Sequence, residues 1–126
     1  MSGFITNIEE KTKTNSFFRE VLFTAPHSQF IVMNLKPKED IGEEVHTVDQ
    51  FLRIESGVGK AILDGEEFGI KDGDAIVVPA GVKHNFINTS DTEPLKLYTV
   101  YSPAEHKDKT IHQTKEDAMK DEADHV

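Results

Sequence analysis

The chain has 126 residues, 14 basic against 23 acidic, a formal net charge of −9 at pH 7, and no cysteine. That length suits one domain with a moderate core; the charge argues against nucleic acid and against an anionic membrane surface as partners. The missing thiols exclude disulfides, thiolate nucleophiles and cysteine-ligated zinc, so a bound metal would draw its ligands from His, Asp, Glu, Gln or water. No apolar run reaches the roughly 18 residues of a membrane-spanning helix, and the opening MSGFITNIEEKTKT lacks the pattern of a secretory leader. The expected location is the cytoplasm.

In chain order, a polar lead is followed by SFFREVLFTA and SQFIVMNLKP. Both are rich in Phe, Val and Ile, bounded by turn formers and short for helices, and so read as strands. From Gly42 to Pro103 strand-like segments recur about every ten residues. Asp64-Gly65 and Asp72-Gly73 supply the positive φ of tight turns, and Pro79-Ala80-Gly81 marks another reversal. Short strands without intervening helices predict an all-β, antiparallel sandwich or small barrel. After Ser102 the apolar texture fades, and Thr114 with Asp117 forms a capping box for a short C-terminal helix. The whole reads as one domain over 1–126, with a core barrel at about 16–103 and an extension over 104–126, its last residues frayed.

One motif stands out: Gly73, five residues, Pro79, one residue, Gly81, two residues, His84, three residues, Asn88. Strand alternation puts His84, Phe86 and Asn88 on one face, so His84 can look into a barrel. This spacing resembles the second signature of the cupin family. Upstream, IGEEVHTVDQFLRIESG resembles the first signature, with Gly57 setting the register. Counting back, Gln50 takes the place of the usual glutamate, His46 that of the second histidine and Glu44 that of the first. Starting the motif at His46 would put Val48 second and lose a ligand, so that register is rejected.

The resemblance therefore implies one divalent ion (Fe, Mn, Zn or Ni) held by Glu44, His46, Gln50 and His84. The family's usual set is three histidines and a glutamate. Here the carboxylate moves to the first position and an amide replaces it at the last; the set's formal charge stays at −1, but an amide oxygen is a weaker ligand.

EEVHTVDQFLRIESG and LKLYTVYSPAEHKDKTIH are further similar to short bacterial cupins of the RmlC-like superfamily labelled mannose-6-phosphate isomerase-like. What this implies is a jelly-roll barrel (an antiparallel double-stranded β-helix), frequently homodimeric, that takes a small-molecule ligand. Arg53 and Lys83 should face away from the cavity by parity, so recognition of a sugar phosphate finds little support. Two imidazoles and one carboxylate match non-haem iron oxygenases better. The expected function is thus a metal-binding cupin acting on a small oxygen-rich organic molecule, dioxygenase-like or isomerase-like; the alternative is a non-catalytic sensor or store. Glu44, Tyr98 and Tyr101 are the catalytic candidates, and Phe86 is a pocket wall. His106 and His112 read as solvated loop residues, with a lid carrying a general base as the other reading. His27 and His125 read as surface.

Overall fold

The computed structural model describes residues 2–121 and 124, and the expectations for His125 and for the end of the tail lie outside them. Two helices and nine strands follow in the order α1 (Ile8–Thr14), β1 (Arg19–Thr24), β2 (Gln29–Leu35), β3 (Asp49–Ser56), β4 (Val58–Leu63), β5 (Glu66–Lys71), β6 (Ala75–Val78), β7 (His84–Asn88), β8 (Leu95–Ser102), β9 (Ile111–His112) and α2 (Lys115–Lys120). They form a six-stranded sheet, β6-β3-β8-β2-β1-β9, and a three-stranded sheet, β5-β4-β7. Every pairing is antiparallel. The result is a jelly roll with a short C-terminal helix. No helix among the described residues is long and apolar enough to cross a membrane.

Alternation along the strands builds the core. Ile31, Met33 and Leu35 on β2, Leu52 and Ile54 on β3, Phe86 on β7, and Leu95 and Leu97 on β8 all point inward and are fully buried. Each such side chain contributes about 1.5–3 kcal/mol through burial. The turns follow the local chemistry. Asp64 and Gly65, both at positive φ, make the tight β4–β5 hairpin. Gly57 has a second constraint besides its φ of +100°, since a Cβ there would stand 2.5 Å from the Pro94 carbonyl oxygen.

Two features escape the sequence reading. The polar lead contains α1, capped by the Asn7 side chain accepting from the Glu10 main-chain N–H, with Glu9 and Glu10 in its first turn and Lys11 and Lys13 in its last. The segment after Ser102 also returns to the barrel. Gln29 ties it down by donating to the His106 carbonyl (2.7 Å) and accepting from the His106 N–H (3.1 Å). β9 then pairs with β1, placing His112 opposite Arg19. α2 follows with the expected cap, Thr114 accepting from the Asp117 N–H.

Candidate metal centre

Ahead of β3, the chain from Asp40 to Glu44 runs beside β7 and extends the smaller sheet, with bridges Asp40↔Ile87 and Glu44↔His84. Directly opposed residues of an antiparallel pair share a face, so Glu44 and His84 emerge together. His46 joins them because the Gly81 N–H donates to its carbonyl at 2.8 Å, fastening the proline-glycine turn to the upstream motif. The outcome is a cluster in which one ligand atom each from Glu44, His46 and His84 lies within 4.8 Å of the others. The imidazole centroids are 4.9 Å apart, and His46 Nε2 stands 3.5 Å from Glu44 Oε2. Both histidines are buried, while the Glu44 side chain keeps 28% exposure.

The donor chemistry fits a metal. His84 Nδ1 contacts the Val82 carbonyl at 2.8 Å; a carbonyl only accepts, so Nδ1 carries the hydrogen and Nε2 offers the lone pair, the arrangement a metal-bound imidazole uses. Neither His46 nitrogen makes a hydrogen bond among the described residues, although both are buried. Burial pushes the His84 imidazole below its ordinary value, which keeps that lone pair free. Burial also pushes on Glu44 and His46, but their mutual attraction outweighs it, lowering the carboxyl and raising the imidazole. Ligands about 2.0–2.2 Å from an ion lie roughly 3–3.6 Å apart, so small side-chain rotations would close the cluster on one.

Gln50, the remaining ligand in the sequence reading, reaches this cluster through Tyr101. Its Nε2 donates to Thr99 Oγ1 (3.1 Å) and to the Tyr101 hydroxyl (3.2 Å). Thr99 spends its own hydrogen on the Phe51 carbonyl, so its oxygen must accept, which fixes the amide orientation. The Gln50 carbonyl oxygen is left buried and without a partner among the described residues. The Tyr101 ring meets His46 edge-on at 5.4 Å, and burial raises its phenol well above the usual value. Phe86 lies 5.9 Å from the His84 ring within the core.

Tyr98 requires a correction as a catalytic candidate. β8 turns Leu95, Leu97, Thr99 and Tyr101 inward, which sends Tyr98 to the outer face, where it packs with Phe30 and Phe51. His106 and His112 are likewise not solvated. His106 Nδ1 is 2.8 Å from Asp124 Oδ2, while His112 contacts Arg19 through Nδ1 and Asp121 through Nε2, each at 3.1 Å. His27 is exposed, as expected. Arg53 pairs with Glu55 and Lys83 with Glu43.

Two charged residues near the cluster were not singled out from sequence. Arg19, buried on β1, acts on the charges of both Glu44 and His46, and Glu105 acts on His46 from the segment after β8. Arg19 precedes both motifs; β1 holds it in the larger sheet opposite Met33 of β2, and β9 sets His112 on its other side.

A jelly roll with a buried His/Glu cluster between its sheets defines a small barrel protein with a possible metal site. The cupin domain profile matches residues 31–101, and the chain belongs to the cupin family. YrkC of Bacillus subtilis (strain 168) is 49% identical over 123 residues, which cover 92% of this chain and 66% of YrkC. Protein L612 of Acanthamoeba polyphaga mimivirus is 47% identical over 108 residues, 82% of this chain and 67% of L612. The chain thus spans about two thirds of the length of these curated relatives. Among solved structures, BH2720 from Bacillus halodurans is 42% identical with a TM-score of 0.91, 94% of each chain being covered.

Proposed function

We propose that Glu44, His46 and His84 hold one divalent metal ion, with the Gln50 carbonyl oxygen as a weaker fourth ligand, and that the protein is an enzyme acting on a small oxygen-rich organic molecule. The observation that carries this reading is the convergence of three ligand atoms within 4.8 Å, the two His46 nitrogens being buried without hydrogen bonds. Two imidazoles and a carboxylate leave coordination positions open, which favours turnover over storage and suits oxygenase-type chemistry. The ion, when bound, supplies Lewis-acid polarisation of a substrate oxygen. The protein's own part is to orient and to exclude water: Val82 fixes the His84 tautomer, Tyr101 and Phe86 close the inner wall, and the partly exposed edge of Glu44 marks the open side. The raised phenol of Tyr101 stays protonated at neutral pH and so serves as a hydrogen-bond donor.

Elemental analysis of untagged protein purified after supplementation with iron, manganese, nickel and zinc tests the metal site. Near-stoichiometric metal is expected in the parent and loss of it in Glu44→Ala and His84→Ala; a parent without metal would overturn the reading.

A homodimer is proposed as the working form. What supports it is an apolar surface on the outer face of the six-stranded sheet, where Phe4, Ile5, Phe30, Phe51 and Tyr98 line a shallow groove and Ile5 is 98% exposed.

A further inference from the structure

A second cavity, of about 400 Å³, lies between the start of β1, the chain before Glu44, and α2. Its charged lining is Arg19, Glu44, Lys115, Asp121 and Asp124, and Phe18 and Ile41 give it an apolar wall. Four of these charged groups are each matched by a partner. Glu44 faces His46, Asp121 accepts from His112, Asp124 contacts His106, and Lys115 pairs with Asp40.

Arg19 is matched less completely. Its Nη1 contacts His112 Nδ1 at 3.1 Å and stands 3.8 Å from Asp124. Its Nε is buried with no partner among the described residues, although the residue is only 5% exposed. A guanidinium presents five donors in a planar fork that fits a carboxylate with two parallel bonds. A buried donor left unfilled is unfavourable, so Arg19 is the charged residue of this lining whose donors are least satisfied. The formal charge agrees once the metal is counted. Two cations face three carboxylates, one negative charge in excess, and a divalent ion at Glu44 converts this to one positive charge in excess.

We propose that this cavity binds a small organic carboxylate, its carboxylate gripped by Arg19, its carbon skeleton against Phe18 and Ile41, and a second oxygen directed at the Glu44–His46–His84 cluster. The substrate class is then a short hydroxy or oxo acid. This deepens, and rests on, the metal-site reading above. Arg19 is suited to the role because β1–β9 pairing fixes its backbone and the Phe18 ring lies under its guanidinium at 5.2 Å.

Calorimetric titration of the metal-loaded full chain with glycolate and with benzoate, against glycolamide and benzamide, tests the proposal. The acids are expected to bind at least tenfold more tightly than the amides, and Arg19→Gln is expected to erase that preference while metal content and circular dichroism stay unchanged. Should Arg19→Gln not fold, Arg19→Lys, which keeps the charge and loses the fork, is expected to reduce the preference about threefold. Equal binding of acid and amide by the parent overturns the proposal, as does an unchanged preference in a folded Arg19 variant, which would assign glycolate to the metal alone. A parent that takes up no metal defeats the metal reading and the charge balance with it; a parent that takes up metal and fails the acid–amide comparison defeats this proposal alone.

Discussion

Glu44 and His84 exchange both of their main-chain hydrogen bonds, each at 2.9 Å, so that two stretches far apart in sequence present their side chains to the same point. The cluster is therefore positioned by backbone pairing rather than by an ion. It should survive demetallation. Treating the loaded protein with a chelator is expected to leave far-ultraviolet circular dichroism unchanged while lowering the melting temperature; saturation at a hundred times the dissociation constant is worth about 2.7 kcal/mol. Loss of secondary structure with the metal would contradict a preformed site.

Replacing Gln50 by Glu restores a carboxylate where the family usually has one. The new oxygen would sit among Thr99, Tyr101 and His46 in a buried setting. Metal affinity in chelator competition is expected to rise tenfold or more. The metal-free variant should melt lower than the parent, because an uncompensated buried carboxylate is unfavourable. An unchanged affinity would remove Gln50 from the ligand set.

The C-terminal tether should respond to acid. Burial pushes the Asp124 carboxyl up, but contact with His106 and the charges of Arg19 and His112 hold it below 3.8. Burial depresses His106 below 6.5 despite Asp124. In both groups the unfolded chain takes up a proton at higher pH than the folded one. Their stabilisation is thus complete above the ordinary histidine value, declines as pH falls below about 6.5, and is lost further as Asp124 titrates through its folded value. Calorimetric melting temperatures between pH 8 and pH 3 should show this decline. Asp124→Asn should melt lower at pH 7, lose the part of the decline that lies in the carboxylate range and steepen the part just below 6.5, since His106 is then without the carboxylate that raises it; an acid limb identical to that of the parent would argue against the pair.

The two motif glycines separate conformation from space. Gly73, at φ +93°, has open room for a Cβ, whereas Gly57, at φ +100°, would drive one into the Pro94 carbonyl. In urea titrations Gly73→Ala is expected to cost about 1–2 kcal/mol, the backbone penalty alone. Gly57→Ala should cost clearly more. Equal losses would show that the chain around Pro94 yields.

Light scattering checks the dimer. The parent is expected at twice its 14.1 kDa chain mass, and Ile5→Asp with Tyr98→Lys should shift it to a monomer while leaving metal content unchanged. A monomeric parent would leave the apolar outer face without the proposed occupant.

Much of this architecture was legible because turn residues and strand parity are local. The resemblance to the two cupin signatures, with Gly57 setting the register of the first, pointed to Glu44, His46 and His84, whose ligand atoms lie within 4.8 Å of one another. Parity could also have separated Tyr101 from Tyr98, since residues three apart on a strand take opposite faces and only one could look inward. The burial of His106 and His112 could not be read in this way, because it depends on Asp124, Asp121 and Arg19, joined by a fold-back with no sequence period. α1 stayed hidden for another reason: its seven residues carry little apolar pattern, and only the Asn7–Glu10 cap announces it.

The Arg19–His112 contact joins residues 93 positions apart, a much longer closure than the one that brings Glu44 to His84. Loop-closure entropy grows with the length joined, so the wall that β9 and α2 build beside the cluster takes more chain entropy to close than the cluster itself.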